Sequence, residues 1–434
     1  MTIGAKGNQK VVDNMSIILK YGKEEIGINL PESKVMEIVR PELEKPTRDP
    51  RTLVANSLDS PEGKKELKKV VKSFERNQSI TITLEDHTRP VPTEPVVIPL
   101  LEKLNSIGVP KKNITFLIAT GNHRDLTKEE MMELRNIVGS GPALVNHHSA
   151  NQSELTRVGE LTYPDGTKKD LLVNSSLISA DITLLTGDVE FHQLYGYGGG
   201  AKSILPGTAD AESVRFNHSL MDIPEAQSGN LNNPLRDAAE KAADLVGVDF
   251  SVNLVLNPEK EVIDCYSGDV HKAFNKAVNK VDELYKVPYG QKSHLVVVEA
   301  GGYPKDIDLY QAQKAVENGL ELVEPGGDLV LVAKCPDGWG SSTFKDWVSS
   351  VDNLDQVEEK INEKFVIGGH KAYIYAKEKR QANLYLISDL KDNPDLRKIF
   401  TPITREALEE KAKEVSSISI LKLGSSTVPV KEHK

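Results

Sequence analysis

Residues 79–90 read SITITLEDHTRP. The first six are β-branched or apolar at all but one position, which favours a strand. That strand runs directly into Glu85, Asp86, His87, Thr88 and Arg89. The same design returns twice. ITFLIA at 114–119 opens onto Thr120-Gly121-Asn122-His123-Arg124-Asp125, and DITLLT at 181–186 opens onto Gly187-Asp188-Val189-Glu190-Phe191-His192. Helical patterns lie between the strands. One ends near SIG at 106–108 despite Pro95 and Pro99. Another, TKEEMMELRNIV at 127–138, opens on a capping threonine, carries acids early and stops at Gly139. Strand and helix in alternation predict an α/β fold with a mainly parallel sheet. In such sheets ligands sit beyond the carboxyl ends of the strands. Three polar loops on one sheet edge therefore point to a concave site.

The third loop continues as FHQLYGYGGGAKSILPG, residues 191–207. Its GYGGGAKS resembles a phosphate-binding loop, but Ala201 stands where the second glycine belongs and Pro206 interrupts the helix that should follow. A loop that brings Lys202 against a ligand fits better, since glycines admit close approach. Thr208 is placed to cap a helix through ADAESVRFNHSLM, which carries His218. A long helix over 270–286 and the linker-like VPYGQK at 287–292 precede a second series of α/β elements. We expect an N-terminal catalytic domain over 1–290 and a C-terminal substrate domain over 291–434, with the last strand free to return to the first.

Bulk properties narrow the function. The chain has 434 residues and a net charge of -10, which argues against a nucleic-acid partner. Its two cysteines, Cys265 and Cys335, form no disulfide framework and suit a reducing compartment. MTIGAKGNQK lacks an apolar signal core and no apolar run reaches membrane-spanning length, so a cytoplasmic protein without membrane contact is expected.

A lone histidine is usually structural. His147, His148, His271, His294, His370 and His433 have no supporting context. His87, His123 and His192 sit on converging loops, where imidazole can exchange protons or bind a metal. Further on, GGYPKDIDLYQAQK at 301–314 places Tyr310, Gln311 and Lys314 at the start of a helix. Gln311 and Lys314 share a face and suit a carboxylate.

Together, DHTR at 86–89, GNHR at 121–124, His192 ten residues before Lys202, His218 sixteen after it, and GGYPKD with YQAQK resemble the nickel-dependent lactate racemase family. The resemblance spans both expected domains, from residue 86 to 314. It implies two α/β domains with an interdomain active-site cleft. It implies a nickel-pincer nucleotide tethered through a thioamide at Lys202, with His218 binding nickel. Asp86, His87, Thr88 and Arg89 would line the cofactor, and Arg89 would also face the substrate. His123 and His192 would be the acid/base pair, and Tyr310, Gln311 and Lys314 would hold a small 2-hydroxy acid. Such proteins depend on cofactor-maturation enzymes. Polar neighbours Asn122, Gln193 and Tyr195 leave room for an acid larger or more polar than lactate, and Trp339 and Tyr373 are candidates for an aromatic contact. The alternatives are a nucleotide-dependent transferase using GYGGGAKS and a carboxylate-binding protein without turnover.

Overall fold

The computed structural model describes residues 14–63, 66–71, 78–89, 91–390 and 392–432. The N-terminal MTIGAKGNQK, Pro90 and His433 lie outside the described residues. Contacts divide the chain into two units. One is Glu42–Leu284; the other joins the chain up to Pro41 with Tyr285–Lys434.

The Glu42–Leu284 unit is built on a six-stranded sheet. Its order is Val262–Gly268, Phe250–Leu256, Ile182–Asp188, Ile80–Glu85, Ile114–Ala119, Ala143–Asn146. Every pairing is parallel except that of Val262–Gly268 with Phe250–Leu256. Ile182–Asp188 and Phe250–Leu256 are buried at all positions, as expected of central strands with both faces covered. Ile82, Leu84, Phe116 and Leu184 pack with Val97, Leu100 and Leu104 from the helix Thr93–Ser106. That helix forms with Pro99 inside it; burial of its apolar face outweighs the lost backbone bond. Thr127 caps Lys128–Val138 in a reciprocal capping box with Glu130, worth about 1 kcal/mol.

Register decides what this sheet can do. Ile80 pairs with both Ile114 and Ile182, and Glu85 with Ala119. The three strands read first in the sequence are therefore adjacent, parallel and level at their carboxyl ends.

The other unit also carries a six-stranded sheet, in the order Thr401–Pro402, Asn383–Ile387, Val323–Val332, Ser293–Glu299, Ile418–Leu421, Val35–Val39, all parallel. The hairpin Asn14–Tyr21 with Glu24–Pro31 buries Ile17, Leu19, Ile28 and Leu30 against this unit's core.

Three expectations need correction. The N-terminal segment does not belong to the first domain, because Val35–Val39 pairs with Ile418–Leu421 and extends the second sheet. Ile418–Leu421 itself stays in that sheet. The stretch read as linker contains the strand Lys286–Tyr289, which pairs in parallel with Val428–Lys431. Thr208 caps no helix: its hydroxyl donates to the Ser203 carbonyl, and Asp210 instead accepts from Glu212 and Ser213 to cap Ala211–Ser219.

One partly exposed ion cluster makes stability depend on pH. His271 binds Glu240 through Nδ1 at 2.7 Å and Asp244 through Nε2 at 2.9 Å. The hydrogen bond to Glu240 leads in raising it from 6.5 to about 9. The folded chain therefore holds this proton more tightly than the unfolded chain. The stabilisation is complete below about 6.5 and lost as pH rises through about 9. The fall in melting temperature between pH 6.5 and 9 should be shallower in His271→Gln than in the parent; parallel curves would refute the contribution.

Candidate active site

The three level strand ends carry a connected set of groups. His123 Nδ1 lies 2.7 Å from Asp86 Oδ2. The other carboxylate oxygen of Asp86 accepts from the Thr88 amide at 3.0 Å and its hydroxyl at 2.6 Å. Burial would raise the Asp86 carboxyl, but the hydrogen bonds from His123 and Thr88 outweigh it and hold the group below its usual range. An ionised Asp86 keeps the His123 proton on Nδ1. Nε2 then presents a lone pair, the arrangement of a base oriented by a carboxylate.

His192 is held the other way round. It sits in the short strand Phe191–His192, paired with Gly196–Tyr197. The amides of Leu194 and Tyr195 donate to its Nδ1 at 3.2 and 3.3 Å. With Nδ1 accepting, the neutral ring carries its proton on Nε2.

Lys202 lies in a 3₁₀ turn, Gly200–Ser203, entered through Gly199 at φ 74° and Gly200 at φ 56°. These left-handed values favour glycine, and a Cβ at Gly200 would also strike Phe274 and Arg236. No long helix follows, so the loop is not a phosphate-binding loop of the strand-to-helix kind, and the transferase reading loses its basis. Burial leads, followed by the nearby Arg89 and Arg236, in driving the Lys202 amine well below its usual range. Burial thus favours the neutral amine, which is the nucleophilic form of a lysine.

His218 is on the helix Ala211–Ser219. Its Nδ1 bonds the Val214 carbonyl at 2.8 Å, which assigns the proton to Nδ1 and leaves Nε2 as a donor atom for a metal. Burial lowers this imidazole to about 4, so it is neutral at physiological pH. Arg89 pairs with Glu190 at 3.1 Å. His87 is exposed and joins none of these contacts.

Among the polar neighbours, Asn122 accepts from the Ser149 hydroxyl at 2.7 Å. Tyr195 is fully buried with its hydroxyl on Asn217, so it is not a polar group offered to substrate, contrary to expectation.

In the other unit Tyr310, Gln311 and Lys314 begin the helix Leu309–Leu320, whose cap Asp308 accepts from the Gln311 amide at 2.7 Å. All three are half-buried. Tyr310 packs edge-on to His370 and under the Lys371 ammonium. Lys371 donates to Gln313 at 2.6 Å, and Gln313 donates to Glu378. Trp339 packs on Phe344, and Tyr373 is buried beneath Lys377.

Residues 21–229 match the lactate racemase N-terminal domain, and residues 289–416 match the lactate racemase C-terminal domain. The lactate racemase of Lactiplantibacillus plantarum is 32% identical over 351 residues, covering 79% of this chain and 80% of that protein. This chain belongs to the lactate racemase family. A second member, the lactate racemase of Thermoanaerobacterium thermosaccharolyticum, is 31% identical over 354 residues and 80% of each chain. The solved lactate racemase apoprotein from that organism superposes with a TM-score of 0.86 at 26% identity, over 96% of this chain and 100% of that one. A Thermotoga maritima protein shares the fold at a TM-score of 0.64 and 17% identity, over 90% of this chain and 100% of that one. Membership makes the chain an isomerase of the racemase type, which removes the reading as a binding protein without turnover.

Several groups around these residues carry no plain mark in the sequence. Arg236 is buried, stacks on Phe274 and donates to the Gly199 carbonyl at 3.0 Å, bracing the glycine loop. Glu85 and Asp188 form an acid pair beneath Arg89. Burial leads in raising both carboxyls, and Glu85 Oε2 has no hydrogen-bond partner among the described residues. Arg236 and Glu240 stand four apart at the start of a helix, a usable signal; nothing local marks Glu85 as paired with a residue 103 positions away in the chain.

Proposed function

We propose that this chain inverts the 2-hydroxy carbon of a small 2-hydroxy acid, lactate first among those to test, using a nickel-pincer nucleotide tethered at Lys202. The observation that carries the reading is the pairing of a buried lysine amine, whose charge burial disfavours, in a glycine loop with a half-buried imidazole whose Nδ1 is engaged and whose Nε2 is left for a metal.

Three features support a fit to that cofactor. Gly199 and Gly200 pack against Asp188, Phe274 and Arg236 and so set the turn that places Lys202. Lys202 offers the amine for a thioamide. His218 offers one nitrogen, and nickel accepts imidazole readily; the remaining donors would belong to the cofactor. When bound, the nucleotide supplies a reversible acceptor for hydride from C2. Cofactor-maturation enzymes would have to provide it.

The chain's own residues then handle the proton and the substrate. His123 Nε2 takes the hydroxyl proton, and Asp86 stabilises the imidazolium that results. With a hydride acceptor and donor in place, the acid would pass through a planar 2-keto acid, whose two faces lead to the two enantiomers. His192 hydrogen-bonds the substrate oxygen through Nε2–H, and gives that oxygen a proton only from its imidazolium form, reached by taking up a second proton on Nδ1. To act as a base in its turn, it must first carry a proton on Nδ1, which means turning from the Leu194 and Tyr195 amides. Gln311 and Lys314 bind the carboxylate, with Tyr310 on the same helix. The two buried thiols, Cys265 and Cys335, suit a reducing cytoplasm.

The test is protein matured by coexpression with cofactor-making enzymes, assayed by chiral chromatography, intact mass and nickel content. Loaded protein should convert either lactate enantiomer to a mixture. Fully loaded protein that leaves lactate and other 2-hydroxy acids unchanged would overturn the reading. Lys314→Ala should lose a charge-assisted contact of about 2 kcal/mol, raising KM roughly thirtyfold with nickel content unchanged. An unaltered KM would remove Lys314 from the substrate site.

A further inference from the structure

Tyr195 takes no part in the chemistry above, yet three groups of that chemistry rest on its ring. The imidazole of His192 lies 5.3 Å away centroid to centroid, at 80°. That of His218 lies 5.6 Å away, at 66°. The Lys202 amine stands 4.9 Å from the ring centroid. These groups come from three separate segments: a short strand, a 3₁₀ turn and a helix.

The ring is itself fixed. Tyr195 is 0% exposed. Its hydroxyl accepts from Asn217 Nδ2 at 3.0 Å, and Asn217 is the residue before His218. Its own amide is one of the two donors to His192 Nδ1. An aromatic ring has only two side-chain torsions, and its edge and face favour particular contacts. Such a wall transmits position with little slack.

We propose that Tyr195 is a positioning residue whose ring sets the tether lysine, the metal-binding imidazole and the His192 proton donor in one register. The inference rests on the roles given above to those three groups. Its consequence is that the flat ring matters more than the phenol oxygen, because the ring makes the three contacts and the oxygen makes one.

The experiment compares Tyr195→Phe, Tyr195→Leu and Tyr195→Met as apoprotein and after maturation, with thermal unfolding to confirm that each folds. Leu and Met should lower kcat about 10- to 100-fold with KM within about twofold, as a displacement near 1 Å does. They should also reduce the fraction of chains bearing the Lys202 adduct. Phe should rescue both. In apoprotein, labelling of Lys202 by acetic anhydride, read by peptide mass, should change severalfold in Leu and Met and stay near parental in Phe. A folded Leu or Met variant with parental labelling and parental kcat would overturn the proposal, as would a Phe variant as damaged as Leu. If the parent neither racemises nor carries an adduct, the functional reading fails instead, and apoprotein labelling still decides whether Tyr195 positions Lys202.

Discussion

Matured Lys202→Ala protein is expected to carry no nucleotide mass on the chain, whereas the parent carries one adduct per modified molecule. The argument starts from burial. Lys202 is 8% exposed, so a permanent ammonium there would be costly. Two guanidiniums nearby, Arg89 and Arg236, add like-charge repulsion. Both effects favour the neutral amine, the form that can make a covalent bond, over the ammonium. Alanine should not unfold the loop, since the turn is set by Gly199, Gly200 and the brace from Arg236, none of which involves the lysine side chain. Lys202→Arg separates the two explanations of a lysine near an anionic ligand. Arginine keeps a charge but cannot form the thioamide, so it too should lack the adduct and the activity. An undiminished covalent adduct in either variant would refute the assignment. Activity in both should fall to background.

Asp86→Asn is expected to lower kcat by about 10²–10⁴ while the Lys202 adduct and nickel remain. The asparagine can still accept from Thr88 through its oxygen, so the loop should keep its shape. Its amide nitrogen would then face His123 Nδ1 and favour the wrong tautomer, placing the proton on Nε2 where a lone pair is needed. His123→Ala should lose at least as much, and adding the two changes should cost little more than His123→Ala alone, because Asp86 acts through His123. His192→Ala should also block net inversion, since reversal of configuration needs both half-reactions. Chiral product analysis of nickel-loaded protein is the measurement. Interconversion at near the parent rate in His123→Ala or His192→Ala would end the two-histidine assignment. Kinetic losses that simply multiply in the double variant would mean that Asp86 works apart from His123.

Local pattern encodes some elements of this chain and not others, for one reason. The strands Ile80–Glu85, Ile114–Ala119 and Ile182–Asp188 are legible because β-branched runs and the polar residues after them lie within a dozen positions. Thr127 with Glu130 is legible as a cap for the same reason. Thr208 was misplaced because two nearby residues could cap the helix, and Asp210 has the better reach to Glu212 and Ser213. Tyr195 was read as polar and adjacent to substrate; the core packing of its ring is not visible in LYGYG.

What the sequence by itself determined is the inventory: alternating strands and helices, a lysine after a glycine run, and histidines at strand ends. Those are properties of short stretches, governed by side-chain shape and backbone freedom. Only the tertiary structure decided the partners. His123 finds Asp86 across 37 positions and Arg89 finds Glu190 across 101. Strand Val35–Val39 finds Ile418–Leu421 at the other end of the chain. Each of these pairings depends on strand order and register, which long-range burial selects and local periodicity does not encode.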